Sequence, residues 1–259
     1  MSRLTRRALI ASGSAALATL TAACDPGAAP HGGRVRQVLK FGEFLSLRAQ
    51  RLLLTGQPLV REFTEADISA DFPVNGTERP AGAAYFGHVM SNFAGFRLTV
   101  DGLVKKPLAL TLDEVKAMPS RTQITMHSCD EGWSAIGKWT GVPLGALLQA
   151  AELMADARYI VFHCLDQVVA GGPGRDSFYY ESIDLFDALH PQTILAYGMN
   201  GKTLPVAHGA PLRLRVERQI GYKNAKYISR IEAVDRLTHI AGGRGGFWED
   251  RGYAWYAGL

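Results

Sequence analysis

The chain has 259 residues, 47% of them hydrophobic and 20% charged, enough apolar material for a full core and unlike a disordered tail or a fibrous repeat. Its 28 Lys and Arg exceed its 24 Asp and Glu by four, but Arg3, Arg6 and Arg7 all precede the first acid, Asp25; taking these three from 28 leaves 25 against 24, a net of +1. A nearly neutral body excludes any general attraction to nucleic acid, so an anion site has to be local.

The start, Thr5-Arg6-Arg7-Ala8-Leu9-Ile10, runs into an uncharged stretch from Ala8 to Ala23. That stretch falls short of the ~20 apolar residues of a spanning helix and is diluted by Ser, Thr and Gly, so residues 1–24 are expected to be a removable export signal. The paired arginines resemble a twin-arginine signal, a route for folded proteins, which implies a cofactor acquired before export to the periplasm or beyond. Leu20-Thr21-Ala22-Ala23-Cys24 also resembles a lipoprotein processing site, with Thr21 where Leu is usual, making Cys24 a candidate lipid attachment point.

Residues 25–33 are rich in Pro, Gly and Ala and read as a linker. From Arg34 to Leu54, Val35, Val38, Leu39, Leu45 and Leu52 recur at helical intervals among Arg34, Arg36, Lys40, Arg48 and Arg51, with Glu43 the single acid. This predicts a basic amphipathic helix, so residues 25–70 are expected to form a linker and basic segment ahead of one domain over 71–259. The preferred reading packs the helix on the domain with its basic face solvated; the other leans it on membrane lipid or a membrane partner.

Alternation over Phe96 to Val100 ends at Asp101-Gly102, a strand entering a tight turn. Thr111 and Glu114 form a capping box for a helix over Leu112 to Met118 that Pro119 ends, and Pro143 opens another helix running to Ala151. Strands are predicted at Ile124 to Met126, Tyr159 to Phe162, Leu212 to Val216 and Ile228 to Val234, and Ser182 is read as the cap of a short helix through Leu189. Strands outnumber helices, so the class is α+β with a large β component.

His127-Ser128-Cys129-Asp130-Glu131-Gly132-Trp133-Ser134 crowds a thiol, an imidazole and two carboxylates after the strand that ends at Met126. A cysteine hydrolase would need a facing His and an oxyanion donor. A zinc site could draw on Cys129, His127, His163 and Cys164. A disulfide between Cys129 and Cys164 is the plain structural reading in an exported protein. Residue types alone leave these open.

The run continues as Cys129-Asp-Glu-Gly-Trp-Ser-Ala-Ile-Gly-Lys-Trp-Thr-Gly-Val-Pro-Leu144, followed by Ala196-Tyr197-Gly198-Met199-Asn200-Gly201, His208-Gly209-Ala210-Pro211-Leu212-Arg213 and Gly221-Tyr222-Lys223-Asn224-Ala225-Lys226. These four ordered motifs resemble the molybdopterin-binding domain of the sulfite oxidase family, from about Phe72 to the C-terminus. The resemblance implies a β-rich mixed sulfite-oxidase-type fold in a single domain and a molybdenum–molybdopterin cofactor. It makes Cys129 the metal ligand, a soft thiolate beside the dithiolene sulfurs of the pterin, and this removes the motive for a disulfide. It implies cofactor contacts from Asn75, Cys164, His208, Arg213, Asn224, Ala225 and Lys226. Among these, Arg213 offers a planar fork, Lys226 a compact charge, and the backbone near Asn224 and Ala225 further donors for the cofactor's phosphate.

True sulfite oxidases follow the ligand cysteine with arginine-rich sequence, whereas Asp130 and Glu131 follow it here. Acids beside the metal repel oxyanions, and the Glu-Gly-Trp-Ser version is similar to the exported bacterial branch that includes a periplasmic methionine sulfoxide reductase. The expectation is an oxidoreductase performing two-electron oxo transfer on a small sulfoxide-like substrate. It would be a monomer supplied with electrons by an external protein, such as a membrane haem protein. The alternatives are a sulfite or small-oxyanion oxidase and, from another class, a non-catalytic exported binding module that has lost the metal.

Overall fold

The computed structural model describes residues 34–168 and 178–259. Residues 1–24, expected to be an export signal, with Cys24, and residues 25–33, expected to be a linker, lie outside the described residues. Helix α1 spans Arg34–Leu53, as the apolar spacing predicts. Helix α2 (Ala83–Met90) follows an irregular stretch and was not foreseen.

Among the described residues, ten strands form two sheets. The first takes the order β2-β1-β10-β5-β6, from β1 (Arg97–Gly102), β2 (Leu108–Thr111), β5 (Tyr159–Gln167), β6 (Phe178–Asp184) and β10 (Ile228–Val234). Only its β1–β10 pairing is parallel, which makes the sheet mixed. The second runs β3-β4-β7-β8, from β3 (Arg121–Ser128), β4 (Ser134–Pro143), β7 (Ile194–Met199) and β8 (Lys202–Thr203), with β9 (Arg213–Arg215) also on β7. Helix α3 (Leu112–Ala117) starts at the predicted capping box: the Glu114 amide donates to Thr111 Oγ1 at 3.0 Å and the Thr111 amide to Glu114 Oε2 at 2.7 Å. Helix α4 (Leu144–Ala150) begins directly after Pro143.

The main core joins both sheets and α4: Leu98 and Val100 of β1, Phe162 of β5 and Ile231 of β10 meet Val142, Leu147, Leu195 and Leu214. A second cluster gathers Phe72, Ala135, Trp139, Ile194 and Met199.

Two expectations are corrected. Ser182 caps no helix; it lies inside β6, where Ser182 faces Val161 and Ile183 faces Ile160 across the ladder with β5, and its hydroxyl donates to Gly245 O. Pairing along the strand outweighs a local capping signal. The helix that follows, α5 (Leu185–Ala188), is capped by Asp184, whose carboxylate accepts from the Asp187 amide at 3.0 Å. The second correction concerns α1, which meets the domain with its polar side. Arg51 binds Asp184 and Asp187 at 2.9 Å, and Gln50 and Glu43 hold Tyr256, while Val38, Phe41, Leu45 and Leu52 face outward.

Candidate active site

Strands β3 and β4 pair in register from Arg121↔Gly141 to Ser128↔Ser134, and the loop between them carries Cys129. The loop is closed by the Cys129 amide donating to Trp133 O at 2.9 Å and the Gly132 amide to Cys129 O at 3.2 Å, with Gly132 at φ +91°, a conformation suited to glycine. From the other side the turn Gly221–Lys223 comes so close that a Cβ on Gly221 would sit 3.1 Å from Cys129 Sγ and 3.2 Å from His127 Nε2. Glycine there lets two chain segments, nearly a hundred residues apart, meet at the thiol.

Cys129 and Cys164 are both buried and both free. Burial and the neighbouring Asp130 and Glu131 push the Cys129 thiol up to about 11, against the Glu131 amide, which favours the thiolate. A metal ion would reverse this, because coordination deprotonates a thiol.

Cys129 borders a cavity of about 250 Å³ shared with Asn75, Asp166, Asn224, Ala225 and Lys226, with Asp130, Glu131, Tyr222, Trp248 and Tyr253 also on its walls. Five of the eight residues expected to bind the cofactor are thus brought together. His208 and Arg213 stand close by: a Cβ on Gly209 would lie 2.9 Å from Lys226 Cβ and 3.2 Å from Arg213 Cβ, and Arg213 NH1 donates to His208 O at 3.1 Å. Cys164 is apart, its thiol in the main core and bordering a second cavity of about 820 Å³; Tyr179 lines both cavities.

The polar groups divide into those that are spent and those that are not. Lys226 Nζ donates to Asn75 O (2.7 Å), Ala207 O (2.9 Å) and Thr77 O, clamping the Asn75–Thr77 stretch against the site. Burial and Arg213 push its ammonium down to about 7, opposed by Asp166. Asn224 uses its side chain within its own turn, accepting from the Val216 amide at 3.0 Å and donating to Gln219 O and Ile220 O. Buried atoms with no partner include Arg213 Nε and NH2, His208 Nδ1, His127 Nε2, Trp139 Nε1 and Asn75 Oδ1. Arg213 is fully buried, and its guanidinium and that of Arg215 both lie over the Trp139 ring, at 4.9 and 4.6 Å. Burial and the nearby Arg215 push Arg213 down to about 9. His208 is driven down to about 4, first by burial and then by Arg213 and Lys226, and His127 falls well below its ordinary value through burial and Arg215, which donates to its Nδ1 at 2.7 Å.

The sequence reading passed over Asp166, Trp139, Tyr222, Trp248 and Tyr253. Trp139 lies within the quoted motif and could have been taken from it. Asp166, buried and pushed up to about 6 by desolvation, gave no local signal, and the aromatic pair comes from a C-terminal tail that no motif covers.

Two buried Arg213 nitrogens without an acceptor, close to a free thiol that borders a cavity, are a donor set suited to an anionic group. A family model described as the oxidoreductase molybdopterin binding domain matches residues 87–239, and the chain belongs to this family. It is 42% identical to a putative protein-methionine-sulfoxide reductase subunit YedZ1 of Azospira oryzae over 199 residues, 76% of this chain and 66% of that protein. The catalytic subunit MsrP of a protein-methionine-sulfoxide reductase from Ralstonia nicotianae is 35% identical over 179 residues, 67% of this chain and 54% of that protein. The MsrP of Xanthomonas axonopodis pv. citri is 40% identical over 147 residues, 55% of this chain and 46% of that protein. The chain thus spans about half to two thirds of the length of these relatives. The solved sulfane dehydrogenase SoxCD of Paracoccus pantotrophus is similar at a TM-score of 0.48 and 22% identity, covering 55% of this chain and 39% of that one.

Proposed function

We propose that this domain is the catalytic unit of an exported molybdenum–molybdopterin oxidoreductase that reduces a sulfoxide-like group, with electrons supplied one at a time by another protein, such as a membrane haem protein. The observation that carries the reading is the pairing of a free, cavity-lining Cys129 with a fully buried Arg213 that has no carboxylate bonded to it. The relatives named as methionine sulfoxide reductase subunits support the same reaction class.

The residues present fit the cofactor. Cys129 would hold the metal, and Arg213 would grip the terminal phosphate through its two idle nitrogens, with His208 and Trp139 as neighbouring donors. Asn75, Asn224, Ala225 and Lys226 would shape the pterin's bed. When bound, the cofactor supplies two-electron oxo transfer.

The protein's own share is access and charge. Asp130 and Glu131 line the cavity and disfavour anionic substrates, while Tyr222, Trp248 and Tyr253 offer apolar walls that suit a thioether product. The Glu131 carboxylate is held by Trp133 Nε1 at 3.1 Å, which fixes it in the loop that follows Cys129. In this reading the chain works as an exported monomer, with residues 1–24 as the signal and Cys24 as a tether site.

Elemental analysis of protein purified from its native host, joined to a reductant-coupled assay over sulfoxides, N-oxides and small oxyanions, tests the proposal. About one molybdenum per chain with sulfoxide reduction is expected. Absence of both molybdenum and zinc would leave the binding module, and fast sulfite oxidation without sulfoxide reduction would leave the oxyanion oxidase.

A further inference from the structure

Helix α1 is turned the wrong way round for a helix that merely packs on its own domain. Its amphipathic pattern is clear, yet the side against the domain is the polar one. Arg51 is held by Asp184 and Asp187 and lies over the Phe186 ring at 4.2 Å, and Glu43 and Gln50 grip Tyr256 through its amide (2.9 Å) and hydroxyl (2.5 Å). Val38, Phe41, Leu45 and Leu52, spaced along one face, point into solvent, with Phe41 61% and Leu52 74% exposed. A run of large apolar side chains left outside is a docking surface rather than chance exposure.

We infer that α1 lies in the surface of an anionic lipid bilayer, with its Val38–Phe41–Leu45–Leu52 stripe sunk among the acyl chains and Lys40 and Arg48 at headgroup level. Charge favours lipid over other occupants. Glu43 is the only acid between Arg34 and Arg61, and its carboxylate is spent on the Tyr256 amide, so Lys40 and Arg48 are the exposed charges among the helix's described side chains. The Arg48 guanidinium lies over the Phe44 ring at 5.1 Å, a cation beside the apolar stripe, as interfacial helices arrange them. A second copy of the chain would bring like charges together, and an apolar protein groove has no use for them. The helix lies on the membrane and does not cross it, because no described helix is long and apolar enough to span.

Sequence position agrees. Cys24, the candidate lipid attachment point, is ten positions before Arg34, a reach of at most ~35 Å. The consequence concerns the cavity: α1 grips Tyr256, and Tyr253, three residues earlier in the same tail, lines the cavity beside Cys129. Docking through α1 would hold that cavity at a fixed distance from the bilayer, where a membrane-embedded electron donor could meet it. The docking itself does not depend on the reaction assigned to the site.

The test uses the mature holoprotein purified from its host and sedimented with vesicles of zwitterionic lipid alone or with a third of anionic phospholipid. Phe41→Ser/Leu45→Ser should weaken binding to the anionic vesicles about 100-fold, roughly tenfold for each apolar side chain withdrawn. Lys40→Glu/Arg48→Glu should abolish the preference for anionic lipid, and both variants should keep normal molybdenum content, since none of the four residues touches the cavity. An environment-sensitive fluorophore on Leu45→Cys should shift to the blue with vesicles, and one on Lys116→Cys in α3 should not. Equal vesicle binding by Phe41→Ser/Leu45→Ser, binding with an unshifted label at position 45, or no binding together with a soluble dimer that Phe41→Ser/Leu45→Ser breaks would each overturn the inference.

Discussion

The molecule buries cations in two ways. Lys223 is enclosed by carboxylates, with Nζ 2.5 Å from Glu181 Oε1 and 2.7 Å from Glu249 Oε1, and Arg215 meets Glu217 Oε2 at 2.5 Å. Arg213, as deeply buried, bonds to a backbone carbonyl and leaves Nε and NH2 idle. The first arrangement finds its counter-charges within the chain and serves the fold. The second carries a cost that only an arriving anion removes. Burial alone therefore does not mark a binding residue; burial without a counter-charge does.

The largest effect should come from breaking the charge-paired arrangement. Lys223→Met strands two carboxylates in the core and should cost about 3–5 kcal/mol of stability, with or without cofactor, read as a lower urea midpoint. Arg213→Met, similar in volume, should act in the opposite sense on the cofactor-free protein, leaving it as stable or more so, because an unpaired buried charge is gone. The same variant should lose about 2–5 kcal/mol of cofactor retention, seen as a fall in pterin content. A cofactor-free Arg213→Met protein as badly destabilised as Lys223→Met would erase the distinction between the two sites.

The smallest effect sharpens the comparison through pH. His208 has a folded value of about 4 against 6.5 when unhindered, so protons bind the unfolded chain more readily between those values. Its contribution is fully present above about pH 6.5 and is lost as pH falls toward 4. Buried His127 adds in the same direction. His190 is lowered as well, and Asp166, pushed up to about 6, works in the opposite sense, so the reading is a difference: over that window the unfolding midpoint of cofactor-free His208→Asn should fall less than that of the unsubstituted protein. An identical pH slope in the variant would remove His208 from the cationic cluster.

How far the site could be read in advance follows from locality. The Cys129 loop, the helix opened by Thr111 and the strand Ile228–Val234 are written in contiguous residues and their periodicity, and the structure carries them nearly as expected. The contact of Arg215 with His127, 88 positions apart, and the entry of Asp166 and Tyr253 into the cavity depend on how two sheets and a tail come together, which no local pattern encodes. Ser182 misled because a capping residue inside a strand looks the same as one before a helix until the partner strand is known. For α1 the spacing gave the amphipathic face correctly but not the side that meets the domain. That side was decided by Arg51 and its two aspartates.

The most direct test is molybdenum X-ray absorption on wild-type protein and Cys129→Ser. A hydroxyl stays protonated near neutral pH and coordinates the metal poorly, while Arg213 and its neighbours remain to hold the pterin. The account predicts that the variant keeps its pterin, shows one sulfur fewer at molybdenum and loses turnover. A sulfur shell unchanged by the substitution would contradict it.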